Sequence, residues 1–360
     1  MDLIRQYMEI EFGNSGSRTH EFGARAKQAI EKARDQVRAV VQVEREEVIF
    51  TSGATESNNL SILGLAAGSA AADKKHIVST TIEHKAVLEP LEVLATRGFE
   101  VTLVPVGPGG RVAADEVLAA VRDDTLLVSV MQANNETGVL QPLDEIAQGL
   151  AKNEAYFHVD AAQAFGKELE TLRNSRIDLI SISAHKIFGP KGIGALIARR
   201  RGYQKAPLQP LMYGGGQERS LRPGTLPVPL IAGLGLAAEL ANKTHSKRRS
   251  VCESIRKSAM EELSDLFPIF NGDEKFVLPH VLNISIPGVD AEAAMVALKG
   301  IAAVSNGSAC TAHSYTPSHV LEAMGLDEEA IQQALRISWC HMTSDVDWPL
   351  ICKHLLSIRN

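Results

Sequence analysis

Lys186 is the residue whose type and setting most clearly indicate covalent chemistry. It follows an apolar run at 177–183 and precedes a Gly-Pro turn at 189–190. Partly desolvated lysines have lowered pKa values and form Schiff bases with carbonyl compounds, pyridoxal phosphate above all. A lysine that caps a strand at a loop fits this stretch equally well, so the motif alone leaves both interpretations open.

Asp160 ends a second apolar run, one crossover upstream of Lys186. An ionised acid at the end of a buried strand needs a cationic partner. In pyridoxal enzymes that partner is the pyridinium nitrogen, which an Asp keeps protonated. An Asp that caps the next helix or turn is the alternative. The lysine and the acid together favour a pyridoxal site more than either does alone.

Residues 52–59 form a third polar motif, in which Gly53 separates an apolar run at 47–51 from a helical pattern through Leu60 and Leu63. The free backbone N–H groups and the dipole at such a helix start bind phosphate, and Thr55 can add its hydroxyl. An ordinary Ser/Thr helix cap gives a similar pattern. The motif therefore permits phosphate binding without requiring it.

Short apolar runs alternate with helical patterns through the first two thirds of the chain. Strands are predicted at 47–51, 76–80, 99–104, 126–131, 156–159, 177–183 and 193–198, and helices at 24–42, 85–97, 113–122 and 142–152. This alternation predicts an α/β fold with a mostly parallel sheet covered by helices. Ligands of such folds bind beyond the carboxyl ends of the strands. The polar residues that follow predicted strands are Thr55, His84, Asn135, Asp160 and Lys186.

The last third of the chain predicts a smaller α+β domain. A long helical pattern begins near residue 226 and passes through a basic, polar segment at 242–249 that connects the two domains. A strand is predicted at 281–286, and helices at 290–300 and 344–357. We assign residues 13–245 to a large cofactor-binding domain, and residues 1–12 and 246–360 to the small domain.

Size and composition limit the classes of function. The chain has 360 residues, 45% of them hydrophobic and 22% charged, as in an ordinary globular protein. A net charge of -6 argues against direct binding of nucleic acid. Neither a signal peptide nor a membrane span is evident, which predicts a cytoplasmic protein. The four cysteines lack the spacing of a metal site, so we expect free thiols and no metal.

Eight ordered motifs resemble those of the group I cysteine desulfurases, which are class V, fold-type I pyridoxal-phosphate enzymes. The resemblance runs from about residue 13 to 340. The motifs are TSGATESNN (51–59), EHKA (83–86), NNETG (134–138), HVDAAQ (158–163), SAHKIFGPKG (183–192), GGGQER (214–219), RPGT (222–225) and SACT (308–311).

This resemblance implies a role for each matching residue. Lys186 would bind pyridoxal 5'-phosphate covalently, Asp160 would pair with the ring nitrogen, and Gln163 would contact the phenolic oxygen. His84 would stack on the ring and move protons, although a histidine that only caps the following helix is the alternative. The implied phosphate cradle consists of Ala54, Thr55, Ser183 and His185.

The resemblance also implies partners. Asn135 and Arg336 would hold the substrate carboxylate, for which a guanidinium is a suitable fork; a salt bridge at the rim is the alternative for Arg336. Thr225 matches a residue that the second subunit contributes, which implies a homodimer. The substrate would be L-cysteine, and the sulfur would pass to an acceptor protein.

Cys310 is the cysteine that the resemblance marks as catalytic, carrying sulfur as a persulfide. Small residues surround it at 305–314, which predicts a mobile, exposed loop and an accessible thiol. The other three cysteines, Cys252, Cys340 and Cys352, lie in apolar periodic contexts, where a free cysteine is usually an inert hydrophobe. His313 and His319 could assist deprotonation of Cys310, but we expect both to face solvent.

Departures from the family pattern leave alternatives open. Family members usually begin with a segment resembling Leu-Asp-Asn-Ala-Ala-Thr-Thr-Pro that lines the substrate pocket. Residues 1–12 do not match it, so another segment would fill that wall or activity would be reduced. The segments at 313–319 and 338–340 differ from the commonest iron–sulfur-assembly pattern and point to a DNA-phosphorothioation branch. A class V aminotransferase and a cofactor-bound scaffold without turnover are the competing functions.

Overall fold

A large, mostly parallel β-sheet forms the centre of the protein in a computed structural model that describes residues 1–69, 74–306 and 317–359. Within these ranges its seven strands lie side by side in the order β1-β7-β6-β5-β4-β2-β3. They are β1 (Val48–Thr51), β2 (His76–Thr80), β3 (Glu100–Val104), β4 (Thr125–Ser129), β5 (Tyr156–Asp160), β6 (Leu179–Ser183) and β7 (Gly194–Ala198). These strands confirm the runs that the sequence predicted, with bounds that shift by one or two residues.

Strand direction determines where the functional residues can meet. Strands β2 to β6 pair in parallel, whereas β7 is antiparallel to both of its neighbours, β6 and β1. Consequently β1 runs in the same direction as β6, and the carboxyl ends of β1, β2, β4, β5 and β6 lie along one edge. Every residue of β2, β4 and β6 is buried, because helices cover both faces of the sheet.

The helices agree with the predicted 3.6-residue periodicity, most clearly in α2 and α5. In chain order they are α1 (Asp2–Arg5), α2 (Glu21–Val41), α3 (Ala54–Asn59), α4 (Leu65–Gly68), α5 (Lys85–Thr96), α6 (Ala114–Ala119), α7 (Leu143–Gly149), α8 (Val228–Leu263), α9 (Ala291–Ala297), α10 (His319–Ala323), α11 (Glu328–Gln332) and α12 (Trp348–Leu356). In α2, residues such as Ala26, Ile30, Ala33 and Val37 face the core. None of the helices in the described ranges is long and apolar enough to cross a membrane.

A second, smaller sheet lies in the C-terminal part of the chain. It consists of β8 (Ile269–Phe270), β9 (Val281–Ser285) and β10 (Ala334–Ser338), in the antiparallel order β10-β9-β8. Its side chains, with those of α9, α12 and the second half of α8, form a core of their own. Of its strands the sequence predicted only β9. Helix α8 runs without interruption through residue 245, so the domain boundary placed there stays a prediction.

Candidate active site

A cleft of about 630 Å³ opens at the carboxyl edge of the large sheet. The loops after β1, β2, β4, β5 and β6 supply most of its lining, and β10 of the small sheet supplies one arginine. The structure brings together ten of the residues that the sequence marked: Ala54, Thr55, His84, Asn135, Asp160, Gln163, Ser183, His185, Lys186 and Arg336. Their roles stay predictions, but their convergence in one cavity of ligand size is observed.

Asp160 places a buried carboxylate at the floor of the cleft. Asn58 donates from Nδ2 to Oδ2 of Asp160 at 2.7 Å, and the backbone N–H of Ala162 donates to Oδ1 at 2.9 Å. Burial raises the pKa of Asp160, while these hydrogen bonds favour the ionised form. A cationic group in the cleft would therefore gain an oriented, poorly solvated counter-charge.

Asn58 was missed as a site residue because the sequence showed it only as one of two adjacent asparagines at a helix start. In the structure it is fully buried, and its Oδ1 has no hydrogen-bond partner within the described ranges. Its amide nitrogen orients Asp160, as described above. No feature of the sequence separates Asn58 from Asn59, since only the helical phase decides which one faces β5.

His84 caps the following helix, which was the alternative role, and it also lines the cleft, while the stacking and proton-moving role stays a prediction. The N–H of Ala86 donates to Nδ1 of His84 at 3.0 Å, so the side chain caps helix α5. A neutral ring then carries its proton on Nε2, because Nδ1 is used as an acceptor. Burial lowers the pKa of His84, whereas the charge of Asp160 opposes that change. The cap therefore fixes the ring at the cleft wall and leaves Nε2 for other contacts.

Lys186 reaches the cleft from the short 3-10 turn Ala184–Ile187 that follows β6. The turn ends at Phe188, which adopts a left-handed conformation with φ 67°. At the start of the same turn, Ser183 Oγ and His185 Nδ1 lie 2.9 Å apart. The sheet thus delivers a lysine amine, a hydroxyl and an imidazole to one end of the cavity.

Backbone N–H groups complete that end of the cavity. Gly53 precedes helix α3 without a side-chain cap, which leaves the N–H groups of the first turn available. Strand β7 passes close behind, since a Cβ on Gly194 would lie 2.3 Å from the carbonyl oxygen of Ile182 and 2.7 Å from Cα of Gly53. Only glycine fits at position 194. The close packing holds the helix start against Ser183.

Arg336 and Asn135 meet in the lining of the cleft. Nη1 of Arg336 donates to the backbone oxygen of Asn135 at 3.0 Å. Backbone hydrogen bonds in both directions between Ser305 and Arg336, of 3.1 and 2.6 Å, hold the strand that carries the arginine. The guanidinium is therefore anchored through Nη1. The paired backbone at Arg336 fixes the point from which its other N–H groups extend.

Replacing Arg336 with lysine is expected to raise KM for L-cysteine by about tenfold or more, with a smaller change in kcat. Lysine keeps the charge but loses the fork that binds a carboxylate through two parallel hydrogen bonds. Steady-state kinetics would measure the change. Arg256→Lys is the control, because Arg256 lies outside the cleft lining and donates to the Val281 carbonyl. An unchanged KM in Arg336→Lys would contradict this assignment.

Glu83 is a buried acid that the sequence analysis quoted within a motif but did not mark. Its Oε1 accepts from Thr80 Oγ1 at 2.8 Å and from the Met131 N–H at 2.9 Å. Oε2 is buried and has no partner within the described ranges. Burial raises the pKa of Glu83 to about 8. Glu83 is therefore protonated at neutral pH, directly beside His84.

Replacing Glu83 with glutamine is expected to remove a pH dependence of stability. The ordinary pKa of a Glu side chain is 4.5, so the unfolded chain releases this proton above about pH 4.5. The folded protein keeps the proton up to about pH 8, because the pKa of Glu83 is raised. Stability present at low pH is thus lost as the pH rises towards 8, by on the order of 3 kcal/mol. Glutamine mimics the protonated acid. Urea unfolding at pH 5 and pH 8 measures the free energy of unfolding of both proteins. The value for Glu83→Gln relative to wild type should be higher at pH 8 than at pH 5. An equal difference at the two pH values would contradict this prediction.

One predicted site residue of the described ranges does not line the cleft. Thr225 is exposed and lies outside the lining. Cys310 and His313 fall at 307–316, outside the described residues. His319, which was expected to face solvent, instead starts α10, and its Nε2 lies 3.0 Å from the backbone oxygen of Glu83.

The remaining cysteines are free thiols. Cys252 is buried as predicted, but Cys340 and Cys352 are half-buried. Strand β10 ends two residues before Cys340, which puts that thiol at the edge of the small sheet rather than inside it. Within the described part of the chain, no group of three or more His, Cys, Asp or Glu side chains is placed to hold a metal ion.

The seven-stranded sheet, with a lysine and a buried acid at its carboxyl edge, defines a fold-type I pyridoxal-phosphate enzyme. A family model described as Aminotransferase class-V matches residues 1–347. The cysteine desulfurase of Mus musculus is 43% identical over 349 residues, which cover 96% of this chain and 75% of the relative. The chain therefore belongs to the class-V aminotransferase family and, within it, to the cysteine desulfurases.

Solved structures support the same placement. The crystal structure of DndA from Streptomyces lividans is 50% identical, with a TM-score of 0.85, and the match covers 94% of this chain and 95% of that one. A structure of SspA in complex with cysteine is 35% identical, with a TM-score of 0.83, and the match covers 94% and 93% of the two chains.

The cofactor of this family is pyridoxal 5'-phosphate, and the cleft fits it. Backbone N–H groups, a hydroxyl and an imidazole converge at one end, as a phosphate requires. A buried, oriented carboxylate lies on the floor, as a protonated pyridine ring requires. The lysine amine reaches the same cavity, whose size is that of a small-molecule site.

Proposed function

We propose that this protein removes sulfur from L-cysteine, leaving L-alanine, and collects the sulfur as a persulfide on Cys310. The observation that carries the proposal is the convergence of Lys186, Asp160 and Arg336 in one cleft. A covalent anchor, a ring counter-charge and a carboxylate receptor are the groups that an amino-acid-converting pyridoxal enzyme needs.

In this proposal the residues of the cleft divide into holding and reacting groups. Asp160 would hold the ring nitrogen and Gln163 the phenolic oxygen. The phosphate would be held by the first turn of α3 at Ala54 and Thr55, together with Ser183 and His185. When bound, pyridoxal phosphate would supply an electron sink that makes the substrate's α-proton acidic.

Proton movement is assigned to two side chains. Lys186 would take the α-proton as a base and return it to the α-carbon after the carbon–sulfur bond has broken. His84 lies at the cleft wall with Nδ1 fixed by the helix cap, so only Nε2 can exchange protons with the site. A lowered His84 pKa keeps the ring neutral, able to donate that Nε2 proton without adding a positive charge beside Lys186.

Sulfur transfer is assigned to Cys310. Its thiolate attacks the substrate sulfur, and the carbon–sulfur bond breaks with its electron pair left on the carbon, which takes up a proton. The enzyme gains one sulfur atom as a persulfide, and L-alanine leaves. The carboxylate of the substrate stays on Arg336 beside Asn135 throughout, which fixes the sulfur in one position for attack.

We further propose a homodimer. Thr225 matches a cofactor-contacting residue of the family, yet it is exposed and does not line its own subunit's cleft. A contact with the cofactor of a second subunit accounts for both observations. Sedimentation of the holoenzyme tests the dimer, and a monomer with full activity would contradict it.

We propose a sulfur-acceptor protein of the DNA-phosphorothioation branch as the partner. The 50% identity to DndA supports this branch. The net charge of -6 assigns DNA contact to the acceptor rather than to this chain. A reducing compartment such as the cytoplasm is the proposed location, because the cysteines of the described ranges are free thiols.

The proposed function is tested by incubating the purified protein with pyridoxal phosphate, L-cysteine and a reductant, and by measuring sulfide and alanine together. Equal amounts of the two products are expected. A keto acid without sulfide would identify an aminotransferase instead. Colour without any product would identify a scaffold. L-selenocysteine in place of L-cysteine shows whether the site also accepts the selenium analogue.

A further inference from the structure

A second cavity lies behind the loop that carries Lys186, between helix α8 and the segments that follow β5, β6 and β10. We call it the Lys167 pocket; its lining includes Lys167, Phe188, Arg248, Cys252, His280 and Cys340. Its volume is about 40 Å³, enough for a few water molecules or one small ion. It is separate from the cleft, although Lys167 follows Gln163 by four residues and Phe188 follows Lys186 by two.

Two cations of the Lys167 pocket have no Asp or Glu partner in the described ranges, although the thiols of Cys252 and Cys340 lie near Lys167 and that of Cys340 near Arg248. Neither Lys167 nor Arg248 forms an ion pair there, and Nε of Arg248 is buried without any hydrogen-bond partner. The neighbouring Arg249 differs, because it pairs with both Glu168 and Glu253. Residues 307–316 contain neither Asp nor Glu.

Neutral groups occupy the other contacts of Lys167. Its Nζ lies 2.9 Å from Nε2 of His280, and burial holds the pKa of His280 well below its usual value, so that imidazole is neutral. His245 Nε2 lies 2.7 Å from the backbone oxygen of Lys167 rather than from its amine. The pKa of Lys167 is lowered to about 7. Burial is the largest cause, and the charge of Lys186 is the next largest. An anion that enters the pocket would relieve this unfavourable burial of positive charge.

The walls restrict which anion fits. The lining is mainly apolar, with the ring of Phe188, the indole of Trp339 and the thiol of Cys252 beside the cations. The volume of about 40 Å³ is too small for a tetrahedral, multiply charged oxyanion such as sulfate, which is excluded on size. We propose that the Lys167 pocket binds one small, weakly hydrated monovalent anion of the halide or hydrosulfide class, between Lys167 and Arg248.

Binding there would affect the cleft through charge. Lys186 shifts the pKa values of both Lys167 and His280, and such an electrostatic coupling is reciprocal. An anion in the Lys167 pocket therefore favours positive charge at Lys186. We expect added anion to displace the pH titration of the holoenzyme's visible absorbance towards higher pH.

The test uses bromide as the probe, because it scatters anomalously. Crystals of the halide-free holoenzyme are soaked in bromide, and its affinity is measured in solution by calorimetry. A peak in the Lys167 pocket is expected in the wild type and in Lys243→Met, a control on the exposed side of α8. The peak should be lost in Lys167→Met, and the affinity in Arg248→Met should fall at least about tenfold.

Two further measurements decide the nature of the ligand. Bromide should bind at least about tenfold more weakly at pH 8.5 than at pH 6.5, because the Lys167 ammonium is then largely lost. Chloride and hydrosulfide should displace bromide, whereas sulfate should not. A wild type without the peak, an unchanged peak in Lys167→Met, or displacement by sulfate as effective as by chloride would overturn the proposal. None of these outcomes depends on desulfurase activity.

Discussion

Replacing Lys186 with alanine is expected to remove the visible absorbance of the reconstituted protein and to lower alanine release about 10³-fold or more. The lysine supplies both the covalent anchor of the cofactor and the base for the α-proton, and a positioned base alone contributes about 10² to 10⁴. Absorbance spectra and product analysis at saturating pyridoxal phosphate measure the two effects.

The control for this prediction is Lys191→Ala, since Lys191 also lines the cleft but lies outside the turn that carries Lys186. Its visible band should persist. If the band survived in Lys186→Ala and disappeared in Lys191→Ala, the cofactor would be anchored on the other lysine. The proton-transfer assignment would then fail as well.

Replacing Cys310 with serine is expected to leave the visible band intact while lowering alanine release at least about 10²-fold. A serine hydroxyl is a far weaker nucleophile towards sulfur than a thiolate, whereas the groups that hold the cofactor and the substrate carboxylate are unchanged. Binding of L-cysteine, followed through the change in the visible spectrum, should remain. The effect thus falls on kcat.

Cys352→Ser is the matched control, because Sγ of Cys352 donates to the Glu262 carbonyl at 3.3 Å on the far side of the small domain. It should release alanine at the wild-type rate. Full activity of Cys310→Ser would show that another acceptor takes the sulfur, or that the substrate loses sulfur directly to solvent.

The sequence predicts the large sheet well because local signals agree with the tertiary structure there. Strands such as β4 and β6 are rich in Leu, Ile and Val and are buried along their whole length, as strands between two helical layers are. The residues that follow them had to meet at one edge once the strands ran parallel. His84, Asp160 and Lys186 therefore reached the cleft by topology, without any need to know their contacts.

The small sheet is less predictable because it depends on long-range packing. Strand β8 has two residues, and β10 contains Arg336, so neither shows a clear alternation of apolar and polar positions. Both strands are defined by pairing with β9. Similarly, the protonation of Glu83 follows from complete burial beside Asp160, which composition does not reveal.

The Lys167 pocket could not be inferred from the sequence for the same reason. Its two cations without an Asp or Glu partner in the described ranges, Lys167 and Arg248, are 81 positions apart, and each looks like an ordinary solvated side chain in its own segment. Only the packing of α8 against the loops after β5 and β6 shows that acidic partners are missing around them.

The central claim is that sulfur leaves L-cysteine and arrives on one particular thiol of this chain. Mass spectrometry of the holoenzyme, treated with one equivalent of L-cysteine and then alkylated and digested, tests it most directly. We predict a gain of about 32 Da, one sulfur atom, on the peptide that contains Cys310 and on no other cysteine peptide. No added sulfur, or sulfur on Cys252, Cys340 or Cys352 instead, would contradict the account.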